Sequence, residues 1–432
     1  MATIVFSALG SAGDIFPLCA IGAELQTRGH SVRMATTPIL APSLRRAGFD
    51  AHRVGPFISP RNLRDLGRAA SRPGWASMRA YVERLVIPSL PSTAADLCQL
   101  AADADVVVTQ VHQPAGRIAA ELLGIPWITA TPYASLLSHM RTRQPDGVVG
   151  GRALDTRPPQ GPKGIRDWVL RGRSHRFDDA VNRTRRHRGL EPVHGAFLEA
   201  ALSPLCVAVL SEPPILNPRV RLPAHWRAVG YPVWDDLSPR GRSPGIENLV
   251  DGDDQYVVAT MGTAALGTMT EFVAASGVAA RDAGRPLVVL GSKCVQAALP
   301  GRIESATYLS LSRALRNAAA VIHPGGMGTS ATALATGVPS VLVPRAFDQR
   351  HNARRLEHAG VGVLVRRRGL NPAAVSGALR RALEKPIASQ ARAVARGLIG
   401  DPAREAADLV ESWCIPNPRS QDPEAACRGE RR

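Results

Sequence analysis

Short apolar runs alternate with longer amphipathic stretches along most of the chain. Near the start, "TIVFSAL" is followed by a helix-like segment from Phe16 to Arg28 and then by "HSVRMAT", with later runs "DVVVTQ" and "PWITAT". Runs of this length bounded by turn residues read as buried strands, and the 3.6-residue periodicity between them reads as helices packed on a parallel sheet. The pattern restarts in the second half. There "QYVVATMG", "RPLVVLG", "ATYLSL", "AAVIH", "PSVLVP" and "GVLVR" are expected as strands, with helices over Thr270–Ala283, Ser330–Ala335 and Gln349–Ala359. Between the halves, "SEPPILNPRVRLPAHWRAVGYPVWDDLSPRGRSPG" is rich in proline and poor in periodicity. The predicted class is α/β, with two facing Rossmann-like domains and a C-terminal helix. We expect an N-terminal domain over 1–212, an interdomain linker over 213–250 and a C-terminal domain over 251–398. A helix over 399–415 opens on an Asp-Pro signal, and a polar tail without stable structure covers 416–432.

The most informative loop is "HPGGMGTSATALATG" at 323–337, which follows the run ending Val321-Ile322. Strand, glycine-rich turn and helix in that order aim backbone N–H groups and the positive end of a helix dipole at one point. Gly325, Gly326 and Gly328 let a ligand approach the backbone closely, so a phosphate or diphosphate is the expected guest. A nucleoside-triphosphate loop is excluded, because Gly328 is followed by Thr329-Ser330 with no lysine. A dinucleotide loop is disfavoured, because the next strand ends in Pro344-Arg345 rather than a carboxylate. A bare strand-to-helix turn is the plainer alternative.

A second loop, "SALGSAGDIFP" at 7–17, ends the first strand. Gly10 and Gly13 make a tight turn with Ser11 between them, and Pro17 falls in what should be the first helical turn. Asp14 is either a helix cap or a general base facing the cleft. The strand after it ends Thr36-Thr37-Pro38, which argues against a nicotinamide cofactor here. A third group, Asp348, Gln349 and Asn352, follows "PSVLVP" and offers polar side chains where a sugar could sit, although Asp348 too could be only a helix cap. Gly262-Thr263 adds a turn and a hydroxyl at the same end of the second sheet.

These two long motifs, "GSAGDIFPLCAIGAELQTRGHSV" and "HPGGMGTSATALATGVPSVLVPRAFDQRHNARRLEHAGVG", resemble the bacterial family-1 nucleotide-sugar glycosyltransferases. Within that family they are similar to the enzymes that glycosylate antibiotics and macrolides and to glycolipid rhamnosyltransferases. The resemblance implies that His323, Gly325, Gly326, Gly328, Thr329 and Thr263 bind the donor diphosphate, and that Gly262 and Leu309 lie beside the nucleotide. It implies that Asp348 and Gln349 hold the donor sugar, and that Asp14, in an acceptor loop with Gly10, Ser11 and Gly13, is catalytic. The implied reaction is inverting transfer of a sugar from a dTDP or UDP donor to a hydroxyl of a small natural product or lipid. No cofactor beyond that cosubstrate is implied. Three departures stand out. Plant relatives carry a histidine base in the N-terminal loop and this chain does not, His30 lying at the opposite edge of the sheet. Many relatives have His-His-Gly-Gly where this chain reads His323-Pro324-Gly325-Gly326, and Ser310 and Arg316 stand where prolines are common, which leaves the base of the nucleotide open. The alternatives are an epimerase of the same architecture, or a non-catalytic partner of another transferase.

Composition changes little. The 432 residues carry a formal charge of +17, but only three of the 53 basic residues are lysine, as a GC-rich genome would produce. The basic stretches at 171–177, 183–189 and 366–369 lack interleaved aromatics, so no nucleic-acid partner is expected and membrane contact is at most peripheral. A monomer or homodimer is expected. The N-terminus reads as a strand rather than a secretory signal, and with no membrane-length run the expectation is a cytoplasmic protein. The six cysteines form no C-x-x-C pair and are expected as thiols. "DGDDQ" at 251–255 precedes its strand, at the wrong end of the sheet for a metal site, and Asp253 and Asp254 are expected in solvated turns. No metal is expected.

Overall fold

A computed structural model describes residues 1–56, 79–135, 177–195, 201–216, 222–235, 237, 244–262, 269–291, 302–366, 370–398 and 400–414. The first sheet is built from β1 (Thr3–Ser7), β2 (Ser31–Thr36), β3 (Asp50–Arg53), β4 (Val106–Gln110), β5 (Trp127–Thr131), β6 (Val207–Val209) and β7 (Trp226–Ala228), in the order β3-β2-β1-β4-β5-β6-β7. All its pairings are parallel. Helices α1 (Ala12–Thr27), α2 (Ala41–Arg46), α3 (Ile87–Leu100) and α4 (Pro114–Leu123) connect or flank these strands, and residues 177–187 are also helical. β4 and β5 are buried at every position, as strands covered on both faces require.

Within the proline-rich segment 213–250, β7 completes this first sheet, and α5 (Pro244–Val250) then leads into the second. The second sheet runs β10-β9-β8-β11-β12-β13, again all parallel. Its strands are β8 (Tyr256–Thr260), β9 (Leu287–Leu290), β10 (Ile303–Ala306), β11 (Ala318–His323), β12 (Ser340–Leu342) and β13 (Gly362–Leu364). Its helices are α6 (Met269–Asp282), α7 (Leu311–Leu315), α8 (Met327–Thr336), α9 (Gln349–His358), α10 (Pro372–Ala382) and α11 (Lys385–Gly397).

The expected strand "ATYLSL" is displaced: β10 ends at Ala306, and 307–310 form a loop. Ser310 caps α7, its side chain accepting from Arg313 N, and both Tyr308 and Ser310 donate to Asp235. Caps and side-chain bonds of this kind compete with a strand ladder. The C-terminal helix, α12 (Pro402–Glu411), returns to the first domain. Ala406, Ala407 and Val410 are buried in the core under β1 and β2, and Arg28 at the C-cap of α1 pairs with both Asp408 and Glu411. His30, read as structural, bonds Glu411 through Nε2 at 2.8 Å.

Arg185, inside the basic stretch 183–189, is 4% exposed and paired with Glu121 at 2.6 Å, so part of that charge is structural. Cys19, Cys98, Cys206 and Cys414 are free thiols, while Cys294 and Cys427 lie outside the described residues. No helix among the described residues is long and apolar enough to cross a membrane.

Candidate active site

In each sheet the strand order reverses at one place, between β1 and β4 in the first and between β8 and β11 in the second. Ligands of open α/β sheets bind at the carboxyl ends of the strands beside that reversal. The turn after β1 leads into Asp14 at the start of α1, and the loop after β11 carries the glycine-rich turn.

Asp14 is the third residue of α1, and Ser11 is the residue at its N-cap. Its Oδ2 accepts from Ser11 N at 2.6 Å and Ser11 Oγ at 3.0 Å. On the other oxygen, Oδ1 accepts from Gln110 Nε2 at 3.0 Å and from the Tyr133 hydroxyl. Gly10 has φ +136, and a Cβ there would fall 2.2 Å from Asp14 Oδ2, so the tight turn needs glycine. Burial raises the pKa of Asp14 above the usual carboxylate value, with the hydrogen bonds from Tyr133, Ser11 and Gln110 opposing it. One oxygen of Asp14 therefore closes the helix start, and the other is held by Gln110 at the end of β4 and Tyr133 just past β5. Pro17, expected in the first turn, lies in the second. It cannot donate to the Gly13 carbonyl one turn back, and the Tyr231 hydroxyl takes that carbonyl at 3.0 Å.

On the other side, Gly326 caps α8, leaving the N–H groups of Met327, Gly328 and Thr329 without partners in the helix. Gly325, at φ +91, donates its N–H to His323 Nδ1 at 3.2 Å, and a Cβ at 325 would fall 2.9 Å from the Gln349 carbonyl. His323 is fully buried, and burial lowers its pKa to about 3. The ring is thus neutral, with its proton on Nε2, which has no hydrogen-bond partner among the described residues.

The loop after β12 brings up Asp348 and Gln349. Phe347, just before them, holds φ 49, an uncommon conformation for a bulky residue. Asp348 sits at the N-cap of α9 but makes no side-chain cap bond; its Oδ2 accepts from Asn352 Nδ2 at 2.8 Å instead. Burial first, and the charge of Asp14 as a smaller contribution, raise its pKa to about 6. Gln349 turns its side-chain oxygen onto Arg345 N and Ala346 N, both at 2.9 Å, which leaves its NH₂ group for a ligand.

The two loops meet. A Cβ at Gly328 would lie 3.6 Å from Gly13 Cα and 3.1 Å from the Tyr231 hydroxyl, so the domains touch through two glycines and one phenol. Gly262 (φ +67) is exposed after β8, and Leu309 is buried beneath the same edge. Thr263 lies outside the described residues. Asp253 and Asp254 are exposed. Asp235 is placed against α7, where Ser312 N donates to Oδ2 at 2.7 Å and Ser310 Oγ at 3.0 Å. The sequence reading missed Gln110, Tyr133 and Tyr231 as parts of this site. Two of them had a signal, since each sits at or just past the carboxyl end of a strand, β4 or β5, near the reversal point.

Comparison with known proteins agrees with this fold. Residues 4–141 match the profile of the glycosyltransferase family 28 N-terminal domain, and 278–411 match that of the erythromycin biosynthesis protein CIII-like C-terminal domain. The chain is 28% identical to O-mycaminosyltylonolide 6-deoxyallosyltransferase of Streptomyces fradiae, over 95% of this chain and 97% of that one. It is likewise 28% identical to vancomycin aglycone glucosyltransferase of Amycolatopsis orientalis, over 94% of this chain and 96% of that protein. Neither is an epimerase or a non-catalytic partner. Among solved structures, the spinosyn forosaminyltransferase SpnP shares the fold at TM-score 0.69 and 18% identity, covering 96% of this chain and 100% of its own. The calicheamicin glycosyltransferase CalG4 does so at TM-score 0.67 and 20% identity, covering 96% and 98%. With the Asp14 turn and the glycine-rich turn at the reversal points of two facing sheets, and relatives of one kind along the full length, the chain belongs to the bacterial family-1, antibiotic-type glycosyltransferases, which move a sugar from a nucleotide sugar.

Proposed function

We propose that this protein is an inverting transferase that takes its sugar from a dTDP or UDP donor and delivers it to a hydroxyl of a small natural product or lipid. The observation that carries the reading is the contact of the Asp14 loop with the Gly325–Gly328 loop across the domain boundary. A base on one domain and a diphosphate cradle on the other can hold the acceptor and the leaving group on opposite sides of the anomeric carbon, the arrangement that in-line displacement requires. Asp14 takes the acceptor proton. The N–H groups at the start of α8 and the Nε2–H of His323 receive the charge that develops on the diphosphate. Asp348 and the NH₂ of Gln349 hold the sugar hydroxyls.

For the nucleotide, support comes from fold neighbours: the glycosyltransferases VinC and SsfS6 were both crystallised with thymidine diphosphate. The macrolide and glycopeptide acceptors in the relatives' names support a natural-product acceptor. The test is release of nucleoside diphosphate from dTDP- and UDP-sugars by the purified protein. Asp14→Asn should cut that turnover roughly 10²–10⁴-fold with nucleotide affinity nearly unchanged. Near-normal turnover in a folded Asp14→Asn protein would show that Asp14 serves only the helix.

A further inference from the structure

Asp14 has no open lone pair. A carboxylate offers about four acceptor sites, and they are taken by Ser11 N, Ser11 Oγ, Gln110 Nε2 and the Tyr133 hydroxyl. A hydroxyl that is to lose its proton to Asp14 must displace one of these donors or act through one. An N–H or amide NH₂ group cannot receive a proton while giving one, whereas a hydroxyl can. Two hydroxyls qualify. Ser11 Oγ shares Oδ2 with the Ser11 backbone N–H, on the side of the carboxylate that closes the helix. Tyr133 is on Oδ1, just past the end of β5, and its phenol feels the charges of both Asp14 and Asp348. Its direct partner is Asp14, the proposed base. The ring is held in place: the His112 ring lies 4.7 Å away, and Gln110 Nε2 is 3.4 Å from the phenol oxygen. Tyr133 keeps part of its surface exposed.

Building on the proposed function, we propose that Tyr133 is a catalytic residue, the group the acceptor hydroxyl meets, and that it relays the acceptor's proton to Asp14. As the acceptor oxygen bonds to the anomeric carbon, its proton moves to Tyr133 Oη and the Tyr133 proton moves to Asp14 Oδ1. The bond from the anomeric carbon to the diphosphate oxygen breaks, and its electron pair leaves with the diphosphate. Tyr133 ends neutral and Asp14 ends protonated. Burial and the neighbouring Asp14 charge push the phenol well above its ordinary value, so at neutral pH it has a proton to pass on and does not act as a base by itself. The relay fills the gap left by the absent loop histidine.

The experiment compares Tyr133→Phe, Asp14→Asn and the unaltered full chain, following nucleoside diphosphate release from dTDP-glucose and UDP-glucose with water as acceptor, from pH 5 to 10. The melting temperature with dTDP and UDP is read in parallel. The relay predicts a loss of about 100-fold or more in Tyr133→Phe at every pH, an unchanged nucleotide shift, and recovery of turnover when 3-fluorotyrosine restores a hydroxyl at 133. Turnover in Tyr133→Phe within threefold of the unaltered protein would overturn it. A purely orienting Tyr133 gives a different signature: losing its hydrogen bond raises the Asp14 pKa, the acid limb moves to higher pH, and full activity returns above that limb. That result would also overturn the relay. If Asp14→Asn is crippled and Tyr133→Phe is not, only the relay fails. If neither nucleotide shifts the melting temperature, the fault lies with the proposed function.

Discussion

His323 Nδ1 is occupied by the Gly325 N–H, so the neutral ring can donate only from Nε2. Removing it in His323→Ala should weaken nucleoside diphosphate binding by ~1.5–3 kcal/mol, the range for a hydrogen bond to a charged group, and titration calorimetry reads that directly. An unchanged affinity would take His323 off the diphosphate. Asp348 has a pH signature. Its pKa is raised to about 6 in the folded protein from an ordinary 3.8, so the folded state holds the proton more tightly than the unfolded chain. The stability this confers is present below pH ~4 and is lost as pH rises through about 6. Asp348→Asn, which cannot ionise, should therefore melt higher than the unaltered protein above pH 6 and match it near pH 4. A melting temperature that falls at pH 8 would mean that ionised Asp348 is stabilised by partners. Both positions were visible in the sequence as polar residues in loops at the strand ends; their burial was not, because it depends on how those loops pack, as the Gly325 and Asn352 contacts show.

At the scale of elements, Pro17 shows what a local rule conceals. Proline inside α1 frees the Gly13 carbonyl, and Tyr231, more than two hundred residues away, supplies the missing donor. Tyr231→Phe leaves that carbonyl unpaired at the domain seam and should cost about 1–3 kcal/mol in denaturant unfolding. No loss would mean that water replaces the phenol. The return of α12 to the first domain was equally hidden. Its amphipathic pattern and Asp-Pro start are legible, and Asp401 does accept from Ala403 N and Arg404 N. Its docking surface on α1 is not legible, since an apolar stripe does not name its partner. Stopping the chain after Asp401 removes three buried side chains and the Arg28 ion pairs, and should destabilise the first domain by roughly 3 kcal/mol or more on the burial of one valine and two alanines.

For the whole molecule, most strands of both sheets were readable because parallel strands buried on both faces form continuous apolar runs. The four-residue β3 and the three-residue β6 and β7 were not, and the last of these lies in the proline-rich segment where periodicity is weakest. That segment binds the halves together. Trp234 packs edge-on against Phe16 at 5.1 Å and Phe49 at 5.5 Å, while its neighbour Asp235 grips α7 of the second domain. Tyr231 shares an apolar cluster with Ala134 and Ile215 of the first half and Met327, Ala331 and Leu334 of the second. On the proposed reading a helix N-terminus and a neutral imidazole meet the leaving group, which leads us to expect transfer to survive chelation by EDTA. Loss restored by magnesium or manganese would contradict that expectation. The central claim, a nucleoside diphosphate held at the start of α8, is tested most directly by thermal unfolding with UDP, dTDP and GDP. Binding to the folded state alone stabilises it by mass action, by about 2.7 kcal/mol at a ligand concentration one hundred times Kd. UDP or dTDP should raise the melting temperature in the unaltered protein and do so much less in His323→Ala, and no shift with any of the three would contradict the account.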